Sequence, residues 1–213
     1  MEILITLVIL VFSAILHEIA HGYVADRFGD PTARLMGRLT LDPRRHIDPF
    51  MSLILPFMLI ISGSPVIFGG AKPVPVDPFN LRDGRRDFAL VSLAGPLTNL
   101  ILAIIAAVFI HLLFPSVSLG LVGTTIPGFI LETILRVNLI LAIFNLLPIP
   151  PLDGSKVFSL LLPEKQAAAY LALGNLGPFL LLLLLIVDFG SFSLQAVIES
   201  LFFFGLTLLG FTA

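Results

Sequence analysis

No cysteine occurs in the 213 residues, so disulfides, thiolate metal ligands and a cysteine nucleophile are all excluded. Any metal has to be held by His, Asp or Glu. Charge is scarce too: Asp, Glu, Lys and Arg make up 12% of the chain, against about 25% in ordinary soluble domains. That charge sits in clusters between long runs that have almost none. With 57% hydrophobic residues and a mean hydropathy of +1.07, the apolar content exceeds what one soluble core can bury. The chain therefore reads as a polytopic membrane protein whose surroundings are a lipid bilayer. The formal net charge is -2 and no Lys/Arg-rich stretch stands out, so nucleic acid is not an expected partner. Nothing basic precedes the apolar run 3–16 and no small-residue cleavage site follows it, which reads as a retained span rather than an export signal. Internal repeats, low-complexity tracts and long linkers are absent, which predicts a single domain over 1–213.

Runs of about 20 apolar residues predict helical spans at 2–25, 88–114, 129–149, 167–187 and 192–213. A sixth apolar stretch, 50–68, is interrupted by Pro56 and broken by Ser62-Gly63-Ser64-Pro65, leaving about 20 Å of helix, too short to cross. The predicted fold is all-α with five to six transmembrane helices and a re-entrant helix and extended segment at about 50–76. In that topology the loops 26–49, 69–87 and 151–166 share one face and hold every Lys and Arg except Arg136. The positive-inside rule places that face in the cytoplasm.

His17-Glu18-Ile19-Ala20-His21 is the strongest chemical signal. Residues four apart share a helix face, so both imidazoles can bind one Zn²⁺ while Glu18 is placed to take a proton from the metal's water. With four His and five Glu in the chain, chance produces this pattern in roughly two of a thousand such sequences. Ionisable residues inside a span are costly and usually functional. A catalytic zinc commonly takes three protein ligands and keeps a position for water. A longer His-rich version of the motif fails, because Val24 and Arg27 occupy its further positions. The third ligand is then one of Asp26, His46, Asp48, His111, Glu132, Asp153 or Glu164. Asp26 is too near His21 on the same helix, and His111 and Glu132 fall toward the far face. Asp153 fits best: one crossing helix separates its span from that of His17, so the two run parallel and both residues lie toward the cytoplasmic end. Without the histidines, Asp153-Gly154 after Pro148-Ile149-Pro150-Pro151 would read as an ordinary turn.

Taken in order, His17-Glu18-Ile19-Ala20-His21, Ala94-Gly95-Pro96-Leu97-Thr98-Asn99 and Asn145-Leu146-Leu147-Pro148-Ile149-Pro150-Pro151-Leu152-Asp153-Gly154 resemble the site-2 protease family of intramembrane zinc metalloproteases, over about residues 10–160. The resemblance implies a zinc-dependent endopeptidase that cuts in or beside the transmembrane segment of a membrane protein substrate. It implies His17, His21 and Asp153 as ligands of one Zn²⁺ per chain, Glu18 as general base and Asn145 as a residue holding the substrate backbone. It also implies a catalytic core at about 1–160 with two further helices at about 167–213, in a prokaryotic plasma membrane with the active site toward the cytoplasm. Unlike better-known members, this sequence shows no PDZ insertion and no regulatory domain.

A helical substrate hides its carbonyls in its own hydrogen bonds, so it must unwind to be cut. The segment 68–76 offers a partner for the unwound stretch. Pro73 and Pro75 remove donors from one edge, while Lys72, Val74 and Val76 keep theirs on the other, open to strand addition. A rigid proline-rich loop is the alternative. His46 reads as a loop residue near the re-entrant entrance rather than a ligand. Asn99 in an apolar helix predicts interhelical hydrogen bonds, with a place near the active site open to it, and Gly95 predicts close packing. Glu132 and Arg136, four apart, pair. A metal transporter would also place His and Asp in spans, but it has no need of Glu18 between the histidines and should show symmetry between its halves, which is not seen.

Overall fold

The computed structural model describes residues 1–48, 54, 58, 61, 72–115, 119–186 and 193–211. Helix α1 (Glu2–Arg27) turns a buried stripe inward at every fourth residue, Ser13, His17, His21 and Ala25, as a 3.6-residue turn requires. Its other sides carry exposed Ile3, Leu4, Leu7, Val11 and Phe12, a surface suited to hydrocarbon rather than water. The single turn α2 (Thr32–Leu35) and a 3₁₀ turn at Pro43–Arg45 follow.

After an irregular stretch at 72–77 and a second 3₁₀ turn at Pro78–Asn80, α3 (Gly84–Leu113) spans 30 residues. Its buried face is built from small side chains, Ala89, Gly95, Ala103, Ala106 and Ala107. Small residues let helix backbones approach where no hydrophobic effect drives them together, and α3 packs along both α1 and α5 (Ile126–Leu146). Between them α4 (Leu119–Val122) is one turn, and the Thr125 hydroxyl caps α5 by accepting from the Gly128 N–H (3.2 Å). Ala103, Ala106, Ile110, Leu135, Leu139 and Leu206 form the main apolar cluster.

Helix α6 (Asp153–Ser159) sits directly on the end of α5: a Cβ on Gly154 would lie 2.1 Å from the Leu146 carbonyl oxygen, a contact that only glycine avoids. Then come α7 (Glu164–Ala172), a 3₁₀ turn at Leu173–Leu176, α8 (Gly177–Ile186) and α9 (Leu194–Leu208).

Among the described residues, α1, α3 and α5 are long and apolar enough to cross a membrane, and they match the predicted spans 2–25, 88–114 and 129–149. The spans predicted at 167–187 and 192–213 differ. The first is a pair of helices bent by 78°. Proline at 178 has no N–H for the helical ladder and glycine stands at 174 and 177, so one continuous rod is disfavoured there. The second has 15 helical residues, about 22 Å against a hydrocarbon core of about 30 Å. Among the described residues there are thus three candidate spans, four if the bent pair counts as one. The re-entrant helix predicted at 50–68 lies outside the described residues apart from isolated positions. Of the extended segment predicted at 68–76, residues 72–76 form no strand, and 68–71 lie outside the described residues.

Candidate metal centre

Both histidines of α1 face α3. His17 Nδ1 donates to Asn99 Oδ1 (2.6 Å) and His21 Nδ1 donates to the Val91 carbonyl (2.7 Å), so in the neutral rings each Nε2 is a lone pair. Those two Nε2 atoms lie 3.0 Å apart, and each is 3.2 Å from Asp153 Oδ2. Three acceptors thus converge in a buried place, an arrangement that repels itself unless a cation sits among them. Zinc ligands at about 2.0–2.2 Å in a tetrahedron stand about 3.3–3.5 Å apart, close to the spacing found. Gly95 supplies a second sign of fit. A Cβ there would come within 2.5 Å of both Nε2 atoms, so glycine leaves room beside the nitrogens where a metal would lie.

Asp153 opens α6, and its other oxygen accepts from Lys156 Nζ at 3.1 Å. The Lys156 ammonium beside it favours the ionised form of this buried carboxyl. The ionised form is the one a metal would bind. Pro96, one residue beyond Gly95, cannot donate to the Ser92 carbonyl and crowds that turn of α3.

Glu18, between the two histidines in sequence, meets the irregular stretch. Its Oε2 accepts from the Val74 N–H at 2.6 Å. That stretch is tied along its length: the Lys72 N–H donates to the His46 carbonyl (2.8 Å), and Arg38 Nη2 donates to the Lys72 and Pro73 carbonyls (2.8 and 3.3 Å). At its far end the Asp77 N–H donates to Asp30 Oδ2 (2.7 Å). Arg38 is buried and Asp30 has no exposed surface. Asp30 also accepts from the Thr32 N–H (3.1 Å), the Thr32 hydroxyl and Asn80 Nδ2 (3.0 Å). Burial pushes its carboxyl up, and the donors from Thr32, Asn80 and Asp77 outweigh burial and hold it below the usual range.

Of the residues singled out in the sequence, His17, His21 and Asp153 come together, Asn99 touches the first of them, and Glu18 meets Val74. Lys72 and Val74 spend their amides within the chain, and Val76 packs near Ala25, Leu81 and Val91. Asn145 donates to the Leu141 carbonyl of its own helix (3.0 Å). His46 Nε2 donates to the Thr40 carbonyl (2.8 Å) and is not one of the clustered ligands. Of the other third-ligand candidates, Asp26 pairs with Arg34 (3.0 Å), Glu132 with Arg136 (2.7 Å), and His111 bonds the Leu209 carbonyl (2.8 Å). Sequence reasoning missed Asp30, Arg38, Ser13 and Asn138. Only Asn138, a carboxamide within an apolar span, carried a signal.

The model of peptidase family M50 matches residues 5–134 and 123–185. The chain is 36% identical over 193 residues to "Putative zinc metalloprotease YwhC" of Bacillus subtilis (strain 168), covering 90% of this chain and 84% of that one. It is 38% identical over 176 residues to "Putative zinc metalloprotease Rip2" of Mycobacterium tuberculosis, covering 82% of this chain and 62% of that one. It is 27% identical over 204 residues to "Zinc metalloprotease MJ0392" of Methanocaldococcus jannaschii, of which it spans 47%. No solved structure matches.

Proposed function

The chain belongs to peptidase family M50, and from that membership we propose a zinc-dependent endopeptidase that hydrolyses a peptide bond in or near the transmembrane segment of a membrane protein. The convergence of three lone-pair donors from α1 and α6 is the observation that carries this reading. His17, His21 and Asp153 would hold the ion. Bound there, zinc would polarise a substrate carbonyl and make water a nucleophile near neutral pH. Glu18, one residue from a ligand on the same helix, takes the proton of the attacking water and returns it to the leaving amine. The Val74 amide orients that carboxylate from outside the triad.

Substrate joins along 72–76, with Asn145 at the end of α5 as a second backbone holder. Because Lys72 and Val74 already use their N–H groups inside the chain, pairing there exchanges partners rather than filling an open edge. The site faces the cytoplasmic side of a prokaryotic plasma membrane in this reading, which the basic loops at the metal end support.

Glu18→Gln is the test. The variant should keep zinc and lose cleavage of a transmembrane substrate by about 10²–10⁴-fold. Cleavage at the wild-type rate would remove Glu18 from the chemistry, and a wild type without bound zinc would defeat the metal reading as a whole.

A further inference from the structure

We propose that Asn138 is a positioning residue for the metal centre, setting through Asn99 which nitrogen His17 presents; this rests on the metal reading above. The Ile134 carbonyl can only accept, so the group that meets it at 2.9 Å is the Asn138 amide nitrogen. The same nitrogen donates to the Ser13 hydroxyl (2.9 Å). Asn138 Oδ1 is thereby turned toward Asn99, whose amide nitrogen donates to it (2.8 Å) and reaches the Ser13 carbonyl (3.5 Å). That leaves Asn99 Oδ1 facing His17 Nδ1, which must carry the proton, and His17 Nε2 is left as the lone pair in the triad.

The direction of every bond in this wire thus traces back to backbone carbonyls on α5 and α1. Reversing Asn99 would offer His17 Nδ1 a donor, moving the ring proton to Nε2, where it opposes a cation. Both asparagines have zero exposed surface, so bulk solvent offers neither an alternative partner.

The experiment uses the full chain in detergent, with zinc affinity read by chelator competition and the optical spectrum of the Co²⁺ form as a signature of the ligand set. Asn138→Leu removes the acceptor that orients Asn99 and should weaken zinc about 10–100-fold, the usual effect of losing a partner behind a ligand. Asn138→Asp, kept neutral by its enclosure, can donate its O–H to the Ile134 carbonyl and keep the other oxygen toward Asn99, so it should stay near wild type with an unchanged Co²⁺ spectrum. Ser13→Ala should do little, since the Ile134 carbonyl still orients Asn138. A packing role predicts the opposite order, because a carboxyl buried in an apolar interface costs more than leucine there. Asn138→Leu binding zinc as tightly as wild type, or Asn138→Asp losing it as badly as leucine, overturns the proposal while wild-type binding leaves the metal reading standing. If the leucine variant does not fold, Asn138→Ala replaces it and the same ranking is required.

Discussion

The two sides of one turn of α1 are held in different ways. His17 and His21 are fixed by other transmembrane helices, through Asn99, the Val91 carbonyl and, behind them, Asn138. Glu18, between them in sequence, is fixed by one backbone amide of a stretch without regular structure. That stretch is in turn held by two buried ions, Asp30 at one end and Arg38 at the other. The difference matches the roles proposed for the two kinds of group. Ligands need one unchanging geometry, whereas a base has to exchange hydrogen-bond partners when water and substrate arrive.

That contrast is broken most severely at Gly95. Gly95→Ala places a methyl beside both Nε2 atoms, so zinc binding and activity should be lost together while the chain remains helical by circular dichroism; a zinc-loaded alanine variant would mean that the triad lies elsewhere. On the other side of the turn, Arg38→Met frees the 72–74 stretch without touching the ligands. It removes two hydrogen bonds from a charged group, to the Lys72 and Pro73 carbonyls, and should lower cleavage by roughly tenfold or more, with zinc stoichiometry unchanged. A fall in zinc content would show that the two sides are not separable.

The smallest effect belongs to Asp30→Ala, which leaves the Asp77 N–H and Asn80 amide without their acceptor and should cost about 1–3 kcal/mol of stability at neutral pH. Since the folded-state carboxyl lies below its ordinary value, its contribution is full above about pH 4 and is lost as pH falls through the lower folded value. Wild type and variant should therefore converge in acid, read by thermal unfolding across pH; a gap that widens in acid would contradict the clamp.

Much of the ligand set was legible because it depends on periodicity and parity. Residues 17 and 21 share a helix face by spacing alone, and a single intervening crossing brings Asp153 back to the same end. Gly95 was legible as a point of close approach, though not as the residue that makes room beside the nitrogens. Asp30, in Gly29-Asp30-Pro31, has the look of any turn residue, and its partners at Asp77 and Asn80 are 47 and 50 positions away. Arg38 acts on two carbonyls, groups every residue has, so nothing in the side-chain pattern marks it. The three long spans follow from hydropathy, while the 78° bend before α8 depends on glycine and proline acting against an otherwise continuous apolar run.

Zinc stoichiometry of the purified full chain, measured for wild type beside Asp153→Ala, tests the convergence of α1 and α6 on one ion most directly. One zinc per wild-type chain and marked loss in the variant are the results expected here. Full retention of metal affinity by Asp153→Ala would contradict the assignment and return the third ligand to His46 or Asp48.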